Sequence, residues 1–537
     1  MKTFLQPLQN LAEMEEIQKQ AKKNRGILEI SGCMESQKAH FIYGLSGLFP
    51  SHLVIAADEK TAKDLYEDYR FYDKRVYYYP AKDLLFFQAD IHGNLLIRQR
   101  MQVIRALLER QKEITVVTSI DGCMDYLLPL EKIEKQLIHF RNDSSLDMDK
   151  LTAALVHMGY ERVGQVEMPG QFSIRGGIID IYSLTEENPW RIELWGDEID
   201  SIRSFDAQSQ RSLENIDEIT IYPATEKMDC EDMVSFLDYF PEEKTLLFLD
   251  ELNHLAENGE GVEEEYRQSR MHREEKGEAN LPEQWLCGFQ EVQKKLNRRN
   301  CVAVSALSPR RSGWEINEEF DLTVKSVDSY NSSFEILVKD LLQYKSQGYR
   351  IALLSGSRTR AERLAKDLSE EGLNAFYSQD YSRIINPGEI MVVYGHARRG
   401  FQYPLIKFAV MTETDIFGKE QKKRKKKKKY SGNRIQDFAE LSIGDLVVHE
   451  KHGLGIYRGI EKVEVDRVVK DYIKIEYRGG SNLYILATQL DALQKYSGSS
   501  ENAKTPKLNK LGGQEWNKTK SRVRGAVKNI AKELVEL

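Results

Sequence analysis

Apolar and polar positions change their period along the chain, and these changes predict where the helices and strands lie. Over the first 130 residues, short apolar runs typical of buried strands alternate with stretches of helical period. The predicted strands are Ile27–Ile30, Leu53–Ala57, Val76–Tyr79 and Ile114–Val117, and the predicted helices are Leu8–Lys23, Thr61–Tyr72 and Leu95–Arg110. Strands that alternate with helices in this way are typical of βαβ units around a parallel sheet.

A strand-rich segment interrupts this alternation between about residues 129 and 223. A helix is predicted at Ser145–Met158, and strands are predicted at Gln165–Met168, Phe172–Tyr182, Trp190–Trp195, Glu198–Phe205 and Glu218–Tyr222, the last of which closes the sheet. The chain then returns to the first sheet with strands at Thr245–Asp250 and Val302–Ala306, separated by an acidic helix over Glu260–Glu278. We therefore interpret the segment as an inserted α+β domain.

Two smaller units follow. Strands at Ile351–Leu354, Ile390–Tyr394 and Ile406–Met411, with one helix at Arg358–Leu368 and another capped by Asn331, predict a small α/β domain. The runs Leu446–His449, Gly455–Val465, Asp471–Tyr477 and Leu483–Leu486 are separated by turn residues and predict the hairpins of a bent β-barrel. Apolar residues alternate with charges in Lys462–Val465, so this hairpin, if it lies at a sheet edge, offers backbone groups to a partner's sheet.

The composition narrows the class of protein. With 41% hydrophobic and 30% charged residues over 537 positions, the chain is predicted to form roughly three to five globular domains. A net charge of −7 excludes a chain that coats nucleic acid uniformly. We expect a cytoplasmic protein without a membrane partner, because no window reaches the roughly twenty apolar residues of a membrane span and no signal peptide is present. The five cysteines form no C-x-x-C pair, and no metal site is predicted.

The predicted boundaries divide the chain into several segments. They are domain 1a at 1–130, the inserted domain 2 at 131–224, domain 1b at 225–320, domain 3 at 321–418, a polybasic linker at 419–440, the barrel at 441–497, a second linker at 498–511 and a terminal helix at 512–537. The first linker contains an unbroken basic run at 422–429, which repels itself and cannot pack; contact with DNA phosphates is an alternative role. The terminal helix carries an apolar stripe that includes Trp516.

The turn after the first strand is where a parallel sheet of this kind binds phosphate. Here the sequence GCMESQKA keeps Gly32 and Lys38 of the pattern G-x-x-x-x-G-K-[ST], but has Gln37 for the second glycine and Ala39 for the hydroxyl residue. Gln37 lacks the backbone freedom of glycine, and Ala39 cannot ligate magnesium. Leu246–Glu251 ends in two carboxylates, like a Walker B strand or any buried strand that ends in Asp-Glu. We therefore predict the remnant of a nucleotide site that binds no ATP.

Two stretches resemble known families. MPGQFSIRGGIIDIYSLTEENPWRIELWGDEIDSIRSFDAQSQRS resembles the second domain of the excision-repair protein UvrB and its copy in bacterial transcription-repair coupling factors. VVHEKHGLGIYRGI, followed by DYIKIEY and LYI, resembles the RNA-polymerase-interacting module that CarD-type regulators share with these coupling factors. The order of modules resembles the coupling factors over nearly the whole chain. The resemblance implies a UvrB-like degenerate RecA-type parallel sheet, a CarD- or Tudor-like β-barrel and the start of a relay helix with its hook at Trp516.

The resemblance implies that one face of domain 2 binds UvrA, the damage-recognition subunit. The family's contact residues correspond to Arg175, Arg191 and Trp195, the last in place of the usual Phe. In the alternative interpretation, both arginines only form ion pairs on a solvated sheet, with the carboxylates of Glu193, Asp197 or Asp200.

The resemblance also implies a second binding surface. Lys462, Val463, Glu464 and Val465 correspond to the hairpin edge that binds the β subunit of RNA polymerase. The family's translocase, which uses ATP and magnesium to move on double-stranded DNA, is absent from this sequence. We therefore expect a non-enzymatic N-terminal half of a larger protein, monomeric and without a cofactor of its own.

The implied function is transcription-coupled nucleotide-excision repair, in which the barrel recognises a stalled RNA polymerase and domain 2 recruits UvrA to the lesion. Three alternatives stay open on the sequence alone. The chain is a true UvrB with ATP-dependent damage loading, a CarD-type transcription regulator without a repair role, or a non-specific DNA-binding scaffold that uses its lysine run.

Overall fold

The computed structural model describes most of the chain. The described residues are 1–23, 25–82, 94–225, 232–275, 286–307, 313–417, 441–449, 452–465, 468–486, 493–496, 507–510 and 516. The basic run at 422–429, the turn at 466–467 and the predicted terminal helix, apart from Trp516, lie outside these ranges. No helix within them combines the length and the apolar content needed to cross a membrane.

The first sheet has seven strands, all parallel, as the alternation of strands and helices predicts. In spatial order they are Ile316–Asp321, Gly26–Ser31, Asn300–Val304, Thr245–Asp250, Ser51–Ala56, Ile114–Ser119 and Val76–Tyr79. The central strands are almost wholly buried, which is typical of a parallel sheet covered on both faces. The edge strand Ile316–Asp321 is absent from the prediction, because its sequence INEEFD is acidic and mostly exposed.

Helices precede and connect these strands. They are Lys2–Leu8, Met14–Lys23, Glu35–Leu45, Glu59–Tyr72, Asn94–Leu108, Ile120–Cys123, Leu130–Glu134, Leu252–Glu275 and Phe289–Asn297. Short 3-10 helices lie at Ser46–Leu48, Phe236–Tyr239 and Glu242–Lys244, and the short strands Tyr126–Leu127 and Val234–Ser235 pair with each other. The predicted single helix Leu8–Lys23 is wrong, because the chain turns between Leu8 and Met14 while the buried Leu11 continues the apolar period through the turn.

Domain 2 contains the helix Met148–His157 and a six-stranded sheet. In spatial order its strands are Ser212–Ile216, Glu198–Phe205, Trp190–Trp195, Ile178–Ile181, Gln171–Arg175 and Glu161–Arg162. Successive residues of Trp190–Trp195 point to opposite faces of the sheet. One face carries the buried Trp190 and Ile192, and the other carries Arg191 and Trp195.

Two strand predictions for domain 2 are wrong, and a third predicted strand forms but belongs to a different sheet. Phe172–Tyr182 is two strands, because Gly176 turns the chain with a φ of +61°. Gln165–Met168 is a loop, in which the Gln171 side chain accepts hydrogen bonds from two backbone N–H groups at 3.1 and 3.0 Å. Glu218–Ile221 pairs with Ile138–Arg141 in a separate two-stranded sheet and does not close the main sheet.

Domain 3 is a small α/β unit with a mixed six-stranded sheet. In spatial order its strands are Lys325–Ser326, Phe401–Tyr403, Phe408–Thr412, Arg350–Ser355, Glu389–Tyr394 and Asn374–Tyr377, and its helices are Phe334–Ser346, Arg358–Glu370 and Glu413–Phe417. The predicted cap at Asn331 is wrong. The chain has positive φ at Asn331 and Ser332 and enters the helix only after Ser333, which holds the N-cap position.

Domain 3 shares a hydrophobic core with the first sheet and its helices. The buried His40 lies at this junction, with Nδ1 3.1 Å from the Tyr403 hydroxyl and Nε2 2.9 Å from the Phe4 carbonyl oxygen. Its ring also lies near Phe401 and Phe408, with centroids 5.2 and 5.9 Å away. The first sheet and domain 3 therefore share one core, and domain 3 has a second core of its own.

The last described domain, predicted to be a barrel and called the barrel below, is a five-stranded antiparallel sheet with its own core. In spatial order the strands are Asn482–Leu486, Val468–Glu476, Gly453–Val465, Leu446–His449 and Leu493–Lys495. The four predicted strands are confirmed, with ends shifted by a few residues. A bulge between Tyr457 and Ile460, at Gly459 with a φ of +104°, bends the long hairpin.

Candidate functional site

The loop predicted to be a remnant phosphate loop follows the strand Gly26–Ser31 and leads into the helix Glu35–Leu45. Gly32 has a φ of +76°, and a Cβ at this position would overlap the carbonyl oxygen of Leu322. Only glycine fits both constraints. Burial raises the pKa of the neighbouring Cys33 thiol to about 12, so this thiol stays protonated at neutral pH.

Gln37 lies where a phosphate loop has its second glycine. Its side chain is fully buried, accepts a hydrogen bond from the Met34 backbone N–H at 3.0 Å and donates one to the Tyr403 hydroxyl at 2.9 Å. The first bond caps the helix that begins at Glu35, and the second reaches domain 3. The Gln37 side chain therefore binds at the helix N-terminus, where a nucleotide phosphate would otherwise accept hydrogen bonds from backbone N–H groups.

Lys38 forms a buried ion pair with the two carboxylates at the end of Thr245–Asp250. Its Nζ lies 2.6 Å from Oδ1 of Asp250 and 2.5 Å from Oε1 of Glu251. Burial lowers the pKa of Lys38, but the two carboxylates outweigh burial and hold this pKa above its usual value. Glu251, with a φ of +55°, also accepts the Ala306 backbone N–H at 2.8 Å. The Walker B-like carboxylates thus have a protein cation as their partner.

The loop and the carboxylates line a cleft of about 1010 Å³ that also includes residues of domain 3. Ala39 offers no oxygen to magnesium, the Lys38 ammonium is engaged by Asp250 and Glu251, and Gln37 caps the helix. A magnesium–nucleotide complex needs a ligating hydroxyl, a lysine directed at phosphate and free loop amides. The residues present do not fit that complex.

Domain 3 reaches the mouth of this cleft through Arg398 and Arg399. Arg398 donates its Nε to Oδ2 of the buried Asp68 at 2.9 Å and its Nη1 to Oδ2 of Asp64 at 2.6 Å. The backbone N–H of Arg399 donates to Oγ of Ser36 at 3.1 Å. These bonds join residues separated by more than 300 positions in the sequence, which is why the sequence pattern gives no sign of them.

Arg175 and Arg191, predicted to bind UvrA, lie on one face of the domain 2 sheet and meet at a third residue. Both donate to the carboxylate of Asp180, Arg175 at 2.6 Å and Arg191 at 2.7 Å. The predicted alternative partners are therefore wrong. Glu193, one of those alternatives, pairs with Arg203 instead.

Trp195 follows Arg191 by four positions in the strand Trp190–Trp195, which places both residues on one face of the sheet. The register shift between Glu193 and Leu194 adds a residue to the facing strand Glu198–Phe205 and not to this strand. The Trp195 side chain is 84% exposed, the largest exposure among the exposed large hydrophobic residues of the described chain. An exposed aromatic on the same face as arginines is a composition that recurs at the energetic centres of protein interfaces.

The backbone of Lys462, Val463, Glu464 and Val465 lies in the outer part of the long hairpin, paired with the strand Val468–Glu476. On its other side, the strand Gly453–Val465 pairs with Leu446–His449 only as far as Ile456, and Tyr457 bonds to Asp445. Beyond Tyr457, no strand in the described ranges covers this edge. Such an edge carries backbone groups that a partner's strand can pair with.

The segment after the barrel, predicted as a linker, binds the barrel at residues 507–510. The Asn509 backbone N–H donates to the Leu454 carbonyl at 3.0 Å, and its side-chain oxygen accepts the Leu454 N–H at 2.7 Å. Its carbonyl accepts the Arg478 N–H at 3.0 Å. Trp516, predicted as the hook, lies close to Gly453, and a Cβ added to Gly453 would clash with the Trp516 ring.

Comparisons with known proteins bear on domain 2 and the barrel. A family model described as the UvrB interaction domain matches residues 138–226, and one described as the CarD-like/TRCF RID domain matches residues 441–497. The transcription-repair-coupling factor of Bacillus subtilis strain 168 is 30% identical, across 95% of this chain and 49% of its own length. The coupling factor of Staphylococcus aureus strain MRSA252 is 29% identical, across 86% of this chain and 44% of its own length. Together, the two family models and these relatives support a chain that is similar to the N-terminal region of transcription-repair coupling factors.

The chain spans about half the length of the curated coupling factors that it matches, and corresponds to their N-terminal region. The resemblance to this family points to Arg175, Arg191 and Trp195 but not to Asp180. Asp180 lies in the apolar strand GGIIDIY, where a single carboxylate is the only signal that a buried ion pair is present.

Proposed function

We propose that this chain is the N-terminal region of a transcription-coupled nucleotide-excision repair factor that binds stalled RNA polymerase and recruits UvrA to the lesion. The observation that carries the proposal is that one chain contains both a UvrB interaction domain and a CarD-like/TRCF RID domain. A CarD-type regulator alone does not account for the first domain, and a UvrB protein alone does not account for the second. The order and coverage of the coupling-factor relatives support the same conclusion.

The UvrA-binding surface is the face of domain 2 that carries Arg175, Arg191 and Trp195. Its support is the exposed Trp195 on the same face as two arginines that both pair with one buried carboxylate. Tryptophan and arginine dominate the binding energy of protein interfaces because they combine a large contact area with directional hydrogen bonds.

The polymerase-binding surface is the uncovered hairpin edge around Lys462, Val463, Glu464 and Val465. An edge strand recognises its partner by backbone hydrogen bonds, so the β subunit of RNA polymerase would extend this antiparallel sheet. The bulge at Gly459 bends the hairpin. The outer part of the hairpin lies beyond the residues that pair with the strand Leu446–His449.

The first sheet is a UvrB-like, degenerate RecA-type module that binds no ATP and needs no cofactor. In the intact protein, ATP and magnesium would serve a translocase that moves on double-stranded DNA as a monomer and displaces polymerase. The ion pair of Lys38 with Asp250 and Glu251 supports the inactive state of this module, because it occupies the groups that nucleotide chemistry needs.

A reciprocal binding experiment tests the two surfaces. The immobilised chain is expected to retain purified UvrA and, separately, RNA polymerase. Trp195→Ala should weaken UvrA binding by roughly tenfold or more, as the loss of an aromatic anchor does, and leave polymerase binding unchanged. Val463→Asp should do the reverse, because it brings a charge to the paired edge.

Each variant is therefore the matched control of the other. Parallel losses of both partners in both variants would indicate a general folding defect and contradict the assignment of two surfaces. Retention of polymerase without any retention of UvrA would instead favour a CarD-type regulator.

A further inference from the structure

Asp180 lies on the polar face of the domain 2 sheet, and its side chain is 0% exposed. The strand register places Asp180, Arg191 and Arg203 in one row across three neighbouring strands. Residues that face each other in neighbouring strands lie on the same side of a sheet. Arg175 and Trp195 lie on the same face as this row, because each is an even number of positions along its strand from a residue in the row or paired with it.

Guanidinium groups occupy both carboxylate oxygens of Asp180. Nε of Arg191 donates to Oδ1 at 2.7 Å, Nη2 of Arg191 donates to Oδ2 at 2.9 Å, and Nη2 of Arg175 donates to Oδ2 at 2.6 Å. The bonds to Asp180 raise the pKa of Arg191 above its usual value. One buried carboxylate thus orients two cations, and a net positive charge is left at this point of the face.

The two arginines differ in what else holds them. Arg191 is only 16% exposed, donates to Oε1 of Gln210 at 3.1 Å and lies over the Phe205 ring, with its guanidinium carbon 4.4 Å from the ring centroid. Arg175 is 45% exposed. Arg191 is therefore mostly covered by its neighbours, whereas Arg175 is the cation that is exposed to a binding partner.

Arg175 lies at the same end of the sheet as Trp195. The backbone N–H of Leu194, which precedes Trp195, donates to the carbonyl of Gly177 in the turn that follows Arg175, at 2.8 Å. A partner that covers the exposed indole would therefore also meet the Arg175 guanidinium. The matching partner surface has an apolar pocket beside a carboxylate.

We propose that Asp180 is a positioning residue of the UvrA-binding face, where it holds the Arg175 guanidinium so that its remaining N–H groups point outward beside Trp195. This inference rests on the proposed UvrA-binding function. A free arginine side chain loses rotamer freedom when it binds, whereas one held in place beforehand has already lost it, so preorganisation increases affinity without adding a contact.

A double-mutant cycle tests the proposal with the whole 537-residue chain and purified UvrA. Dissociation constants are measured by titration calorimetry for the wild type, Arg175→Ala, Asp180→Asn and the double variant. Each single substitution is expected to weaken binding by roughly tenfold, as the loss of a charge-assisted hydrogen bond does. The double variant is expected to bind no more weakly than the weaker single variant, because Asp180 acts through Arg175. Wild-type affinity in Asp180→Asn, or fully additive losses, would overturn the proposal.

Arg175→Lys is the second test, and it does not depend on the folding of Asp180→Asn, because Arg175 is partly exposed. Lysine keeps the charge but not the planar fork that Asp180 orients. We expect most of the affinity lost in Arg175→Ala to be lost in Arg175→Lys as well, with an unchanged circular dichroism spectrum. Full affinity in Arg175→Lys would overturn the positioning role.

Arg162→Ala is the matched control, since Arg162 is exposed and its cross-strand neighbour Phe172 belongs to the apolar face. It should bind UvrA like the wild type. Failure of the wild-type chain to bind UvrA would contradict the proposed function itself, whereas normal binding by both wild type and Asp180→Asn would contradict only the positioning role.

Discussion

At the scale of single residues, burial changes the chemistry of groups that the sequence presents as ordinary. Lys38 is part of a motif remnant in the sequence, and the fold makes it the partner of two carboxylates. His40 follows it closely in the sequence and lies in a core shared with domain 3. Both residues have a structural role that depends on chain segments hundreds of positions away.

Substitution of Lys38 distinguishes a structural ion pair from a working phosphate loop. Lys38→Met should lower the free energy of unfolding by roughly 3–5 kcal/mol, because it leaves Asp250 and Glu251 without their cation in a buried place. Thermal melts with and without magnesium-ATP should coincide for both wild type and variant. A nucleotide-dependent rise in the melting temperature of the wild type that Lys38→Met abolishes would contradict the inactive site.

Buried histidines predict a dependence of stability on pH. Burial lowers the pKa of His40 to about 4 and that of His52 to about 4, against the usual value of about 6.5. Between these values the unfolded chain takes up protons that the folded chain excludes, so the free energy of unfolding falls as the pH falls from 6.5 towards 4. Urea denaturation at several pH values measures this slope.

His40→Asn should reduce that slope, by up to about 1.4 kcal/mol per pH unit for one proton. Equal slopes in wild type and His40→Asn would show that His40 does not titrate in this way.

At the scale of elements, local pattern predicts a strand or helix well where its own residues determine it. Thr245–Asp250, Trp190–Trp195 and Glu198–Phe205 occur with the predicted bounds, because each is a run of strand-forming residues between turns. Predictions fail where a contact with another part of the chain determines the backbone conformation. The Gln171 side chain holds 165–168 as a loop, and the acidic strand Ile316–Asp321 forms only because Gly26–Ser31 pairs with it.

Asn509 gives an element-level prediction for the barrel. Asn509→Ala should lower the stability of the barrel by roughly 1–3 kcal/mol, because the buried Leu454 N–H loses its acceptor. Lys510→Ala, at the exposed neighbouring position, is the control. Denaturant unfolding monitored by hydrogen exchange of the barrel amides measures the change; equal stability of Asn509→Ala and wild type would mean that the segment 507–510 does not support the barrel.

At the scale of the whole molecule, the distribution of cores predicts how the chain unfolds. The first sheet and domain 3 share one hydrophobic core and are also joined by Arg398 and Gln37, so they should unfold together. The barrel has a core of its own. Differential scanning calorimetry is expected to resolve separate transitions. Lys38→Met should lower the temperature of one and Asn509→Ala that of another, and a shift of the same transition by both variants would contradict separate cores.

The sequence by itself determines the classes of most elements, the order of the modules and the departure from the phosphate-loop pattern at Gln37 and Ala39. Apolar period, turn residues and the side chains present at these positions are local properties of the chain. The sequence also marks Arg175, Arg191 and Trp195 through their resemblance to a family. Only the tertiary structure shows that Asp180 joins the two arginines and that Lys38 neutralises Asp250 and Glu251. Ion pairs of this kind depend on how distant strands are aligned, and the pattern along a single chain does not contain that alignment.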